Sequence, residues 1–217
     1  MKSNKIQFDT WDDFEKCKQL QKRFGDYDEF KVKPNKENKI SIFESMNGLL
    51  DEHKGNLELL EVGCGPGHFL WVFKDKVSKI IGFDYSPHML KLAEEQFKKA
   101  TVESEFIQGS CWSLPFDDNF VDISLQVDVC MHIGGSWDSI KEMIRVSRKY
   151  VVFTGPSFES FKGDMDKRIG VKSWAVNVPL LEKELDKLIT SKEIKSYAFL
   201  DRTRSKTYTH KILLVKK

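Results

Sequence analysis

The period of the hydrophobic positions changes along the chain. Residues 1–38 are polar and lysine-rich, with Phe8, Trp11, Phe14, Phe24, Tyr27 and Phe30 scattered among them. A helix over about Trp11–Lys22 fits this stretch, and Pro34 then breaks the chain. Asn35 or Asn38 is placed to cap a second helix, in which Ile40, Phe43, Met46, Leu49 and Leu50 recur at helical spacing. From Leu57 onward, short apolar runs alternate with amphipathic ones. Leu57–Gly63, Lys79–Asp84, Glu103–Gly109, Phe120–Val127 and Tyr150–Thr154 read as strands. Between them come a helix starting near Gly67, one over Pro87–Lys99, and one with Ile140, Met143, Ile144 and Ser147 on one face. This alternation predicts an α/β fold, a mostly parallel sheet with helices on both faces.

The C-terminal part breaks the alternation. A helix over about Pro179–Ile189 is followed by two strand-like runs, Glu193–Leu200 and Thr207–Val215. Asp201–Lys206, between them, is too short for a helical crossover, so the runs should form an antiparallel hairpin at one edge of the sheet.

Composition narrows the class. A chain of 217 residues with 40% hydrophobic and 12% aromatic residues suits one packed domain. Lys+Arg 35 against Asp+Glu 33 leaves a net charge of only +2, which argues against a nucleic-acid partner. No apolar run approaches the roughly 18 residues of a membrane span. The opening MKSNKIQFDTWDDFEK lacks the apolar core of a signal peptide, so a cytoplasmic location is expected. Cys17, Cys64, Cys111 and Cys130 form no CxxC pair. They read as reduced thiols, and no metal site is expected.

The candidate chemistry begins at LLEVGCGPGHFLWVF, residues 59–73. Gly63, Gly65 and Gly67 lie between a strand and a helix, where bare backbone lets a ligand approach. A dinucleotide fingerprint GxGxxG would need its third glycine at position 68, which is His68. Asp84 ends the next strand, about 20 residues past the first glycine, where a carboxylate accepts hydrogen bonds from ribose hydroxyls. With no Walker lysine present, the residues point to a nucleoside-containing ligand.

Three ordered segments carry a family resemblance: Glu61-Val62-Gly63-Cys64-Gly65-Pro66-Gly67, the acid Asp84, and GSCWSLPFDDNFVDIS at 109–124. The last is similar to a G-D-A-x-x-L-P-F-x-D-x-x-F-D-x-V pattern. Together they resemble the class I S-adenosylmethionine-dependent methyltransferases, in the small-molecule, type 11-like branch, over about residues 57–155. The resemblance implies a Rossmann-like seven-stranded mostly parallel sheet with an antiparallel C-terminal hairpin, in one methyltransferase domain over 1–217. It implies S-adenosyl-L-methionine as cofactor and S-adenosyl-L-homocysteine as product. Gly63, Gly65 and Gly67 would line the methionine and ribose, Glu61 would order the loop, and Asp84 would hold the ribose hydroxyls. Tyr85 and Met89 would flank the adenine, with Ser110 and Cys111 at its edge and Trp112 close by. Gln126 and Val127 would lie near the methionine end. Two departures stand out: Ser110 replaces the family's usual aspartate, and RVSRKYVVFTGP lacks its K-P-G-G turn.

Transfer from an activated sulfonium needs positioning above all, and a base only for an acidic acceptor. Asp128 and His132, four apart, would share a face of a helical segment and are the candidate bases. The plainer reading, which one sequence favours, makes both packed or surface residues of a loop. His68, at the start of a helix where it could cap or touch the cofactor, reads as structural, His88 as exposed, His53 and His210 have no motif context, and Cys64 reads as a small residue the loop requires. Asp117, Asp118 and Asp122 read as turn and strand-start residues.

In an open parallel sheet the ligand lies beyond the carboxyl ends of the strands. Residues 1–45 would form an N-terminal helical cap there. Residues 155–178, GPSFESFKGDMDKRIGVKSWAVNV, would supply a substrate lid with Arg168, Lys172 and Trp174 as acceptor contacts, or simply a loop anchored by its aromatics. The leading expectation is methyl transfer to O, N or C of a small-molecule acceptor. QVDV stands where N-P-P-Y would mark transfer to planar nitrogens. An RNA or protein methyltransferase and a non-catalytic cofactor-binding protein are the alternatives. The oligomeric state stays open.

Overall fold

The computed structural model describes residues 13–24, 27, 40–53, 56–133, 136–156, 176–205 and 208–217. Strands β1 (Glu58–Val62), β2 (Lys79–Asp84), β3 (Glu103–Gln108), β4 (Val121–Val127) and β5 (Ser147–Pro156) run parallel. β6 (Ser196–Ser205) and β7 (Tyr208–Lys216) form the antiparallel hairpin, and β7 pairs antiparallel with β5. The seven-stranded order is β3-β2-β1-β4-β5-β7-β6. The direction of winding therefore reverses between β1 and β4.

The helices are α1 (Phe14–Phe24), α2 (Ile40–Glu52), α3 (His68–Phe73), α4 (Pro87–Phe97), α5 (Ser136–Val146) and α6 (Val178–Thr190). Alternation along the strands splits the core. Leu59, Ile80, Ile123, Leu125 and Val152 pack with α2, α3 and α4 on one face. Leu60, Val62, Ile81, Phe83, Val151 and Phe153 pack with α5 and α6 on the other. α1 starts at Asp13, whose carboxylate accepts from the N–H groups of Glu15 and Lys16. It lies on α4 through Cys17, Phe14, Met89 and Leu92. Ser86 and Asn177 cap α4 and α6 through their side chains, each with a proline in the first turn of its helix, Pro87 and Pro179.

Some boundaries differ from the sequence pattern. Ser147, expected on a helix face, is the first residue of β5, so α5 runs straight into the strand. Its hydroxyl reaches the Met143 carbonyl at 2.7 Å and Ser124 Oγ at 2.7 Å. β6 continues to Ser205, so most of Asp201–Lys206 is strand rather than connection. These polar residues pair with β7 and need no apolar alternation; Asp201, for example, takes an ion pair from Lys211. The Asn35 or Asn38 cap and residues 157–175 lie outside the described residues.

Candidate functional site

β1 ends at Val62 and the chain turns at once. Gly63, Gly65 and Gly67 hold φ of 77°, 51° and 82°, where a side chain is strained. A β-carbon on Gly63 would lie 2.4 Å from Val129 Cγ2, so the loop after β4 packs straight onto this backbone. Among the described residues, nothing lies within 4 Å of a β-carbon placed on Gly65. Gly65 thus faces open space at the carboxyl end of the sheet.

Hydrogen bonds fix the turn. The Phe83 carbonyl accepts from Gly63 N at 2.6 Å and Cys64 N at 3.1 Å. Gly65 N donates to Asp84 Oδ2 at 2.7 Å, and Ser86 N to Asp84 Oδ1 at 2.8 Å. Gly67 N reaches the Cys64 carbonyl at 3.0 Å. Asp84 therefore joins the loop to the start of α4, and each of its oxygens keeps further acceptor capacity.

The two acids lie in one electrostatic neighbourhood. Burial raises the Asp84 pKa above the usual aspartate value, against the pull of the Ser86, Gly65 and Tyr85 N–H groups. Glu61 is 2% exposed. Burial and then the Asp84 charge push its carboxyl well above the usual glutamate range, while the Leu70 N–H opposes. Glu61 Oε2 has no hydrogen-bond partner among the described residues. Burial, then Asp84 and Glu61, also raise the Cys64 thiol well above its ordinary value, so it is not a thiolate nucleophile.

The other expected cofactor residues surround the same strand ends. Gly109 N donates to the Asp84 carbonyl at 3.0 Å, and Gln108 Nε2 to the Tyr85 carbonyl at 3.1 Å. This brings the Ser110–Trp112 turn beside β2. Tyr85 and Trp112 are exposed, at 45% and 38%. Met89 is buried against Cys17 and Leu92 beneath α1. Gln126 is fully buried, its Nε2 donating to Ser139 Oγ at 2.9 Å. Burial pushes the Cys111 thiol up to about 11, with Ser139 opposing and Asp84 adding to the rise. Val127 packs on the face occupied by α3.

Asp128 follows β4 with φ of 57°, an uncommon backbone for a non-glycine residue. Thr154 on β5 holds it there. Asp128 N lies 3.2 Å from both the Thr154 carbonyl and Oγ1, and Thr154 Oγ1 donates to Asp128 Oδ1 at 3.0 Å. His132 closes a 3-10 turn, Cys130–His132, and is exposed at its tip. Crowding by the surrounding protein lowers its pKa below the usual histidine value, with Asp128 opposing. A neutral imidazole at pH 7 is in the form that accepts a proton.

Other sequence expectations meet plain surroundings. His68 is buried and stacked on Tyr27. His88, expected on the surface, is half-buried because α1 brings Phe14 against it. Asp122 is no loose turn residue: it accepts from Glu58 N, Arg148 and Lys149. Arg168, Lys172 and Trp174 lie outside the described residues. Among the described residues, no three His, Cys, Asp or Glu side chains gather as a metal site. No helix among them is long and apolar enough to cross a membrane. Three residues that sequence reasoning did not single out support the site: Tyr27, Ser139 and Thr154. Only Tyr27 left a signal, as an aromatic in a lysine-rich stretch.

A glycine turn after β1, a carboxylate ending β2 and an antiparallel hairpin at the sheet edge make a Rossmann-like fold of the kind that class I S-adenosylmethionine-dependent methyltransferases have. Residues 60–153 match the family described as "Methyltransferase domain". An uncharacterized methyltransferase of Mycolicibacterium gilvum is 33% identical over 108 residues, which are 46% of this chain and 42% of that protein. The chain thus spans less than half the length of the curated relatives it matches. Among solved structures, magnesium protoporphyrin IX methyltransferase from Synechocystis with bound SAH superposes with a TM-score of 0.67 at 14% identity, over 96% of this chain and 97% of that one. A SAM-dependent methyltransferase from Aquifex aeolicus gives 0.60 at 17%, over 94% and 98%. At these identities the structural likeness speaks for the fold.

The residues fit the cofactor of that class. Gly65 leaves room that any β-carbon would enter. Glu61 Oε2 is buried without a partner among the described residues, and Asp84 offers acceptor capacity beside it. Such a set suits a ligand with ribose hydroxyls and positive charge.

Proposed function

We propose that the protein transfers the methyl group of S-adenosylmethionine to a small-molecule acceptor. The observation that carries this reading is the Gly65–Asp84 hydrogen bond beside open space at Gly65. Gly63, Gly65, Gly67 and Asp84 would hold the ribose and methionine, with Glu61 ordering the loop behind them. Tyr85, Met89, Ser110, Cys111 and Trp112 would surround the adenine, and Gln126 and Val127 would close the methionine end. When bound, the cofactor supplies an activated methyl on a sulfonium. The chain's own task is to hold the acceptor in line with it and keep water away. Asp128 and His132 would take the acceptor's proton where it has one to lose, His132 entering in its neutral form. Arg168, Lys172 and Trp174 would contact the acceptor from residues 155–178. The near balance of charge supports a small acceptor over RNA.

Calorimetric titration with S-adenosylmethionine, S-adenosylhomocysteine and NAD tests the reading. Micromolar binding of the first two, absent in Asp84→Ala, is expected. No binding, or a preference for NAD, would overturn it. An acceptor screen that follows S-adenosylhomocysteine release then identifies the acceptor class.

A further inference from the structure

Buried or bent backbone must place its polar groups somewhere. In the glycine loop nearly every group finds its partner within the core. Gly63 N and Cys64 N use Phe83, Gly65 N uses Asp84, and Gly67 N uses Cys64. The Gly65 carbonyl accepts from the Cys64 thiol at 3.4 Å, and the Gly67 carbonyl from Trp71 N at 2.9 Å. Pro66 sits at the crest and has no N–H to give. Its carbonyl accepts from the Tyr27 hydroxyl at 2.8 Å. That donor comes from the N-terminal segment, 39 positions away in sequence, and packs in the same core cluster as Leu70 and Trp71.

Tyr27 is seated for this bond on several sides. It is 6% exposed. Its ring stacks on His68, the first residue of α3, at 4.1 Å between centroids and 5° between planes. It meets Trp71 edge-on at 5.9 Å. Gln21 Nε2, on α1, donates to the Tyr27 oxygen at 3.1 Å, leaving the hydroxyl hydrogen for Pro66. Burial pushes the phenol up to about 12, against the Gln21 bond and helped by Cys64 and Glu95, so it stays a donor across physiological pH. One residue therefore grips both ends of the Pro66–His68 peptide, by hydroxyl at one and by ring at the other.

We propose that Tyr27 is a positioning residue for the cofactor site: its hydroxyl holds the Pro66 peptide, and through it the open face of Gly65, in the shape that receives S-adenosylmethionine. The inference rests on the reading of the site given under Proposed function. It makes cofactor affinity depend on the N-terminal segment, although Tyr27 donates to the loop and not to the cofactor.

Tyr27→Phe separates the two grips, because it keeps the ring stack and removes only the hydroxyl. Two measurements on the full chain test the proposal. The first is the dissociation constant of S-adenosylhomocysteine by calorimetry, well below the melting temperature. It should rise about 3- to 10-fold, the loss of one net hydrogen bond. A purely structural tyrosine would lower the melting temperature and leave this constant unchanged, and a constant within twofold of wild type would overturn the proposal. The second is amide hydrogen exchange of the peptide covering residues 63–68 in ligand-free protein. Faster exchange there than in wild type supports Tyr27 as the clamp, and unchanged exchange overturns it. If the wild type itself binds no S-adenosylhomocysteine, the proposed function fails, and the exchange arm alone decides whether Tyr27 holds the loop.

Discussion

A methyl group added at Gly63 would strike Val129, whereas one at Gly65 would enter open space. Both residues have a left-handed backbone, which costs a side chain about 1–2 kcal/mol. Gly63→Ala should add overpacking and lower stability by about 3 kcal/mol in a urea titration. Gly65→Ala should cost about 1 kcal/mol in the same titration, yet abolish S-adenosylhomocysteine binding by filling the room the ligand needs. Equal stability losses with intact binding in Gly65→Ala would contradict the assignment of the open face. Glu61 gives a pH signature. Its folded pKa lies well above the ordinary value, so the folded state holds a proton that the unfolded state releases at lower pH. Its contribution to stability is present below the unfolded pKa of about 4.3 and is lost as pH rises through the folded pKa. Glu61→Gln keeps an acceptor for Leu70 N–H and removes the titration. The melting temperature of this variant should exceed wild type at pH 8 and approach it at pH 4.5.

At the scale of elements, Asp122 ties three strands together. It lies on β4, accepts from Glu58 N on β1, and pairs with Arg148 and Lys149 on β5. Burial opposes its charge, but the Arg148, Glu58 and Lys149 donors win and hold its carboxyl below the usual range. That stability is present above the unfolded pKa of about 3.9 and is lost as pH falls through the folded value. Asp122→Asn should lower stability at pH 7 by about 1–3 kcal/mol, and its urea midpoint should fall less steeply on acidification than that of wild type. Ser139 joins different elements, α5 to the end of β4, through Gln126. The element pattern was legible because apolar alternation reports burial on strand faces. The junctions were not. Ser139 and Thr154 look like any helical serine and strand threonine, and their partners lie on other elements. The extent of β6 escaped for a related reason: its last residues are polar and stay in the ladder by backbone pairing with β7.

At the scale of the whole molecule, the reversal between β1 and β4 marks the place for a ligand at the carboxyl ends of the parallel strands, and Tyr27 reaches the loop there through the Pro66 carbonyl. A ligand bound there stabilises the entire fold by mass action. S-adenosylhomocysteine at 100 times its dissociation constant should contribute about 2.7 kcal/mol. That corresponds to a rise in melting temperature of about 5–10 °C for a chain of this size. Differential scanning fluorimetry reads this directly. Asp84→Ala should show no such shift, and NAD should produce none in wild type.

The amino-acid sequence by itself determined the order of strands and helices, the glycine turn with its acid about 20 residues on, and so the class of ligand. Each of these is local: hydrophobic period, glycine spacing and a strand-end carboxylate are written within a few dozen residues. Tertiary structure alone decided which groups hold that turn in shape. It gave the Pro66 carbonyl to Tyr27, packed Val129 on Gly63, and left Glu61 with a buried oxygen that has no partner among the described residues. Those outcomes depend on distances between residues far apart in the chain. Such distances exist only once the sheet and its helices have closed on one another.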